Sequence, residues 1–248
     1  MFVVFVATLA RPAIAEADAL AATLGSSPYD TRLLLAAGPP SVVLITQDRN
    51  RAADVLAELR ARGHSAHVFD DENFVSSIGM TRFDDFVLEP EGVRRTSASE
   101  FLPFGDIYAI VRAVHETSAA IEERADASDG LIRNSQSIRM PMTRSVDREH
   151  VAYFFRRSGE KPWLLRERHT SYVGLGSERG PIAFANFGRL LERVRGQASM
   201  AVFDDRLVRR RVAERAGTEG QRSSRDGMDM LAHLLAMTIA SQGGSPYR

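Results

Sequence analysis

The sequence predicts an α/β (α+β) fold, in which a small β-α-α-β-α-β sandwich precedes a mixed, β-rich domain with late helices. Over residues 2–70, valine- and phenylalanine-rich runs alternate with helix-forming segments. Aromatic and β-branched runs separated by turn residues dominate the middle, and an apolar pattern with helical spacing follows near the end. With 248 residues, 44% of them hydrophobic, the chain can bury a core without disulfides, and it contains no cysteine.

The first third of the chain carries clear signals for where helices begin and end. Pro12 suits the first turn of a helix, and Gly25 and Gly63 are typical of helix ends. Asp48 is an N-cap residue for the segment that follows it. The predicted elements are, in order, strand Phe2–Thr8, helix Ala13–Leu24, helix Tyr29–Ala37, strand Val42–Ile45, helix Arg49–Arg62 and strand Ser65–Phe69.

The first apolar run, Phe2–Leu9, is followed by small residues, as in a short signal peptide. No basic residue precedes it, which favours a first β-strand instead. No apolar run reaches the ~18–20 residues that a membrane-spanning helix requires. Together with the lack of cysteine, this pattern predicts a cytoplasmic location.

The composition changes after Asp70, and the polar residues 71–85 predict a junction between domains. The predicted units are residues 1–72, residues 82–215, and a flexible segment with a terminal amphipathic helix over residues 216–248. Residues 119–134 are predicted to form an exposed loop or loose helix. The other predicted elements are strands Phe86–Leu88, Val151–Phe155, Trp163–Glu167, Tyr172–Leu175 and Met200–Phe203, a helix Phe187–Arg195 capped by Asn186, and a helix from Asp226 to Ile239.

A spacing pattern in the first third is similar to a known family. The residues that show this similarity are Gly25, the run Tyr29-Asp30-Thr31-Arg32, Leu34-Leu35 and Pro39. The same spacing continues through Asp48, Ala52, Leu56, Leu59 and Gly63. On these residues, residues 2–70 resemble the C-terminal domain of the bacterial ribosomal stalk protein, whose fold the Clp protease adaptor shares. The resemblance implies a small α/β module that recruits protein partners.

In the stalk family, basic residues on the paired helices bind translation GTPases. Here only Arg32 keeps such a position, and Asp18 and Tyr29 occupy two others. Loss of this positive charge weakens a patch that works by charge complementarity. The resemblance therefore implies the module rather than the translation-factor partner. Tyr29 and Arg32 are candidates for facing a partner, with a solvated or structural role as the alternative.

The later part more weakly resembles bacterial domains of the pleckstrin-homology type. The carriers are a strand that closes on Glu89-Pro90-Glu91-Gly92 and the run Leu102-Pro103-Phe104-Gly105-Asp106-Ile107, followed by hairpins and a helix. This resemblance implies a β-rich fold for residues 82–215.

The charges suggest two candidate binding regions, although the formal net charge is zero. The stretch 206–225 holds seven arginines against two acids, so it is a candidate for phosphate contacts through Arg209, Arg210 and Arg211. The same pattern also suits an exposed helix. The predicted hairpin interleaves aromatic and basic residues, which indicates a ligand surface or, alternatively, a core hairpin with a charged outer face. Its candidate residues are Arg156, Trp163, Arg166, His169 and Tyr172.

No spacing of serine, histidine and acid residues in the sequence marks a catalytic site. His64 and His67 stand near Asp70 but point to opposite faces of a strand, so we expect exposed histidines rather than metal ligands. No metal or cofactor is expected. A hydrolase-type enzyme remains an alternative, with His150 or His169 as a base in a deep pocket.

The leading expectation is a non-enzymatic adaptor or regulatory protein that binds another protein. A nucleic-acid-binding protein is the second alternative, in addition to the enzyme. The terminal helix 226–239 is more apolar than one docking face requires. Either it packs across both domains or it joins a partner helix in a homo-oligomer.

Overall fold

The structure is a computed structural model that describes residues 1–36, 38–119, 145–210 and 224–242. It confirms the predicted α+β class, with helices and three antiparallel or mixed sheets. Three of the sequence-based predictions, for residues 120–134, for residues 216–223 and for Arg211, lie outside these ranges.

The N-terminal unit has the predicted order β-α-α-β-α-β. Its central strand β1 pairs antiparallel with β2 on one side and with β3 on the other. The predicted N-cap is confirmed, because the Asp48 carboxylate accepts hydrogen bonds from the amides of Asn50 and Arg51 at 2.8 and 3.2 Å. Gly25 ends the first helix in the left-handed region at φ 70°. The elements are β1 (Phe2–Thr8), α1 (Ala13–Leu24), α2 (Pro28–Ala36), β2 (Ser41–Thr46), α3 (Arg49–Ala61) and β3 (Ser65–Asp70).

The β-rich part contains a three-stranded meander and a five-stranded central sheet of order β11-β8-β9-β10-β4. The predicted hairpin is confirmed, since β9 and β10 pair antiparallel with Trp163 opposite Phe154. The meander is β5 (Phe86–Glu89), β6 (Gly92–Arg95) and β7 (Phe101–Pro103). The central sheet is β4 (Thr81–Arg82), β8 (Ile107–Ala119), β9 (Ser145–Arg156), β10 (Trp163–Arg166) and β11 (Val202–Leu207). Two helices complete this part, α4 (Ala183–Gln197) and α5 (Ser224–Gln242).

Three local predictions were wrong. Residues 172–175 form no strand but begin a 3₁₀ helix, Tyr172–Glu178, in which Tyr172 and Leu175 are buried at a spacing that suits a helical turn. Asn186 lies inside α4, whose N-cap is Ile182. Asp226 likewise lies in the first turn of α5 rather than before it. For Asn186 and Asp226, the helix begins earlier in the chain than the predicted cap residue indicated.

Helix α5 lies between the N-terminal sheet and the central sheet. One core cluster joins Val3 and Phe5 of β1 to the apolar residues of α5 and to alternate residues of β8 and β9, among them Val111 and Tyr153. The other face of β1 packs against α1, α2 and α3, and the other face of the central sheet packs against α4 and the meander. The apolar residues of α5 therefore pack within the chain, as the first of the two alternatives for this helix predicts. The homo-oligomer remains a prediction.

Two polar residues on α5 hold the connector between the two sheets. The Asp229 carboxylate accepts a hydrogen bond from the Ser77 amide at 2.7 Å, and His233 Nε2 donates to the Val75 carbonyl at 2.9 Å. Both side chains are buried. They satisfy backbone groups of a segment that has no regular secondary structure, which fixes the connector against α5.

Burial of His233 makes the stability of the protein depend on pH. Burial lowers the pKa of this imidazole, and the Val75 carbonyl and Asp229 only partly oppose that effect. Below the ordinary value of about 6.5, the unfolded chain binds a proton that the folded chain does not, so acid favours unfolding. We expect the free energy of unfolding to fall between about pH 7.5 and about pH 5.5. His233→Gln, which keeps an N–H donor, reduces that slope in urea titrations, whereas Ile78→Ala, at an exposed position of the same connector, leaves it unchanged. An unaltered slope in His233→Gln contradicts the assignment.

Candidate functional site

The structure places the residues of the predicted hairpin in different environments. Trp163 is only 1% exposed and its ring contacts Phe83, so it belongs to the core, as the core-hairpin alternative expects. Tyr172 is also buried and its hydroxyl donates to the Glu167 carbonyl at 2.8 Å; burial raises its pKa. Arg156 is bound to Asp106 at 2.6 Å at the other end of β9.

A buried carboxylate holds the remaining hairpin candidates. Glu149 accepts hydrogen bonds from Arg166, from the Arg168 amide and from His169 Nδ1, the last at 2.7 Å. Burial raises the pKa of Glu149, but these donors outweigh it and hold the pKa below its usual value. The Glu149–His169 pair has the geometry of an oriented base, yet His169 is exposed and lines neither of the two cavities described below. Glu149 therefore acts mainly as a junction between β9 and the segment after β10.

The other predicted binding residues lie on separate surfaces. Tyr29 and Arg32 are exposed on α2, with the Arg32 guanidinium 5.3 Å from the Tyr29 ring centroid. Arg209 is exposed just after β11, and Arg210 donates to the Gly38 carbonyl at 2.6 Å. Burial lowers the pKa of Arg210. Arg206 pairs with Asp204, so within the described part of the 206–225 stretch Arg209 and Arg210 are the arginines that form no ion pair with a described carboxylate.

One cavity, called here the first cleft, has a volume of about 510 Å³. It lies between the segment after β10 and the start of α4. Its lining combines ionic, hydroxyl and apolar groups: Glu167, Arg168, Thr170, Ser171, Tyr172, Arg179, Gly180, Pro181, Ala183 and Asn186. Such a mixture suits recognition of a polar group beside apolar contacts.

Three exposed apolar side chains neighbour the lining residues of the first cleft in sequence. Val173, Ile182 and Phe184 are 64%, 63% and 49% exposed. Each follows or flanks a lining residue, namely Tyr172 in the 3₁₀ helix and Pro181 and Ala183 at the start of α4. The three side chains are called here the apolar rim because of these neighbouring positions in the chain, although they are not among the lining residues themselves.

The wall of the first cleft is fixed by Asn186. Its amide accepts from the Gly180 N–H and donates to the Gly180 carbonyl, both at 2.8 Å, so the turn before α4 is tied to the helix itself. Asn186 is buried, and both functions of its side-chain amide are satisfied. Its predicted role as an N-cap is thus replaced by a role in positioning the rim.

A second cleft of about 290 Å³ lies on the α4 side of the central sheet, near one end of β8 and β9. Three arginines make the lining predominantly basic. The lining residues are Val114, Glu116, Arg148, His150, Val208, Arg209 and Arg210. Glu116 is bound by Arg148 at 2.6 Å.

His150 links the two clefts. It lines the second cleft, its ring lies 5.1 Å from that of Phe184, and its backbone N–H donates to Glu167 of the first cleft at 3.2 Å. Burial lowers the pKa of His150, and the nearby Arg112 lowers it further. The imidazole is therefore held neutral beside a basic surface.

Sequence reasoning missed the rim residues and Arg112. Arg112 interrupts the apolar run Ile107–Val114, and an arginine within such a strand is a signal that could have been noticed. Exposure of Ile182 and Phe184 had no such signal, because apolar residues at the start of a helix usually enter the core.

One expectation for the histidines was wrong. His64 is buried rather than exposed: its Nδ1 accepts from the Ala10 amide at 3.1 Å and its Nε2 lies 3.3 Å from the Glu16 carboxylate. Glu16 is also buried, and a hydrogen bond from Arg62 outweighs burial and lowers its pKa. This cluster fastens the start of β3 to α1. Across residues 1–36, 38–119, 145–210 and 224–242, the structure contains no group of three or more residues arranged to bind a metal.

Comparison of the chain with protein-family models, with curated proteins and with solved structures finds no match. Within the described part of the chain, no helix is both long enough and apolar enough to cross a membrane.

Proposed function

We propose that this protein is a non-enzymatic adaptor or regulatory protein that binds a segment of another protein at the first cleft. The observation that supports this most strongly is the apolar rim, because Val173, Ile182 and Phe184 are exposed and each adjoins, in the chain, a residue that lines a concave, partly charged cavity. Apolar anchors next to charged and hydroxyl groups are typical of protein interfaces.

The chemistry of the cleft indicates the kind of segment. Arg168 and Arg179 are both exposed, and Arg168 is already paired with Asp147. Arg179 makes no ion pair with any residue that the structure describes. We therefore propose a segment that places an apolar side chain against the rim and an acidic side chain at Arg179.

We also propose a cytoplasmic location and a second contact surface on α2. A cytoplasmic location agrees with the lack of cysteine. The resemblance of residues 2–70 to the stalk-protein C-terminal domain agrees with the observed order of elements and offers α2, with Tyr29 and Arg32, as a second contact surface.

Replacing Ile182 by aspartate tests this function. We expect the partner captured by the full chain from its native lysate, quantified after chemical cross-linking, to decrease about tenfold or more, because a charge replaces an apolar contact of the rim. Ile45→Asp is the matched control, since Ile45 is 53% exposed on the edge strand β2 and lies outside the lining of both clefts. Equal capture by Ile182→Asp and the wild type contradicts the first cleft as the docking site.

A further inference from the structure

We infer that the second cleft binds a phosphate group, carried by a small phosphorylated molecule. This site is distinct from the protein-docking surface at the first cleft, although His150 lies between them.

The first support is a half-buried cation without a counter-charge, which lies next to the lining of the second cleft rather than in it. Arg112 is partly buried on β8, on the same face as Val114 and two residues before it. Its Nε is buried without a hydrogen-bond partner, and its guanidinium lies 5.8 Å from the Phe187 ring centroid. No carboxylate in the described ranges forms an ion pair with it. An unpaired cation of this kind is unfavourable in the folded chain unless an anion joins it.

The second support is the surplus of positive charge in the lining. Arg209 forms no ion pair with a described residue, and Arg210 donates only to the Gly38 carbonyl. The acid in the lining, Glu116, is occupied by Arg148. Arg209 and Arg210 in the lining, with Arg112 beside the cleft, thus supply three guanidinium groups that form no ion pair with a described carboxylate. Guanidinium forks match the geometry of phosphate oxygens.

The third support is His150. Neither ring nitrogen has a hydrogen-bond partner within the described ranges, and Nδ1 is buried. An anion in the cleft gives this ring the acceptor that it lacks. Around the ring, the charged groups are Arg112 and Glu116 on β8, Arg148 on its own strand, Glu167 after β10, and Arg209 and Arg210 after β11. Helix α4 contributes Phe184 and Phe187.

The form of the site favours a small ligand over a polymer backbone. The cleft is concave, has a volume of about 290 Å³ and includes half-buried groups. A nucleic-acid backbone is instead bound by rows of exposed cations along a surface. A phosphate dianion also balances more of the unpaired charge than a carboxylate does.

The experiment is a titration of the purified full chain with inorganic phosphate, followed by calorimetry and by the imidazole ¹H–¹⁵N signals of the histidines. We expect saturable binding with one phosphate per chain and a shift of the His150 signals. Arg112→Met weakens binding about tenfold or more, because one charged fork is lost. Arg179→Met, an exposed arginine of the first cleft, leaves phosphate binding unchanged. Phosphate raises the thermal midpoint of the wild type but not that of Arg112→Met.

Three further probes decide the nature of the ligand. Glycerol phosphate binds at least as tightly as inorganic phosphate if the inference is correct. Acetate that binds equally well, or a short single-stranded oligonucleotide that binds more tightly and with the same dependence on Arg112, overturns it. Absence of saturable phosphate binding, or equal loss in Arg112→Met and Arg179→Met, overturns it as well. Arg209→Met, at an exposed position in the lining, is the second variant and is also expected to weaken phosphate binding. Because Ile182→Asp is expected to bind phosphate normally, failure of this site is distinguishable from failure of the docking proposal.

Discussion

Replacing Leu234 by alanine is expected to lower the free energy of unfolding by about 3 kcal/mol, near the middle of the range for fully buried leucines. Leu234 lies in the α5 core cluster and has no exposed surface. That cluster also includes residues of the N-terminal sheet and of the central sheet, so the cavity forms in the core that both sheets share with the helix. The loss is therefore expected to affect both parts of the chain.

Urea unfolding measures this effect with two reporters. Fluorescence of Trp163, the one tryptophan, reports on the β-rich part, and hydrogen exchange of the β1 amides reports on the N-terminal sheet. Both transitions shift to lower urea together if α5 couples the two sheets. Leu33→Ala on α2, where the leucine is exposed, is the matched control and changes stability by less than about 0.5 kcal/mol. A shift seen by only one reporter contradicts the coupling.

Removal of the Asp229 carboxylate is expected to destabilise the protein by about 3–5 kcal/mol, as for one partner of a buried, hydrogen-bonded charge. Tyr153 donates to Asp229 at 2.6 Å, His115 Nε2 lies 3.1 Å from the same oxygen, and the Ser77 amide donates to the other oxygen. In Asp229→Ala these groups stay buried without their acceptor.

The same carboxylate contributes to acid sensitivity. Burial raises the pKa of Asp229, but the bonds from His115, Tyr153 and Ser77 prevail, and its pKa lies below the usual value. Because the pKa of this carboxyl is lower in the folded chain than in the unfolded chain, its ionised form stabilises the fold at pH values above the ordinary carboxyl pKa. This contribution is lost as the pH falls through the lowered pKa. In urea titrations, Asp229→Ala is thus less stable than the wild type at neutral pH, and the difference narrows in acid. Asp205→Ala, at an exposed position, serves as the control, and equal stability of the two variants contradicts the role given to Asp229.

Local signals in the sequence were sufficient for the N-terminal unit. Asp48, Gly25 and Gly63 act on their own neighbours, through capping bonds and left-handed backbone, so they mark helix ends without reference to the rest of the chain. The hairpin of β9 and β10 was predictable for the same reason, since alternating residues and a turn lie close together in the sequence.

The candidate site was much less predictable. Trp163 and Tyr172 marked the right region, but their rings face the core, while the neighbouring Ile182 and Phe184 form the rim. Exposure of a side chain depends on which distant element covers it, and that information is absent from a local pattern. Arg112 illustrates the same limit, because only the position of β11 and α4 shows that no described carboxylate reaches it.

The sequence by itself determined the order of the N-terminal elements, the hairpin and the presence of a strongly apolar final helix. Only the tertiary structure decided that α5 lies between two sheets, that His64 is buried against Glu16, and that His150 lines one cleft with Arg209 and Arg210. The physical reason is the range of the interactions. Helix caps, turns and alternation act over a few residues, whereas burial and charge pairing join residues that are far apart in the chain.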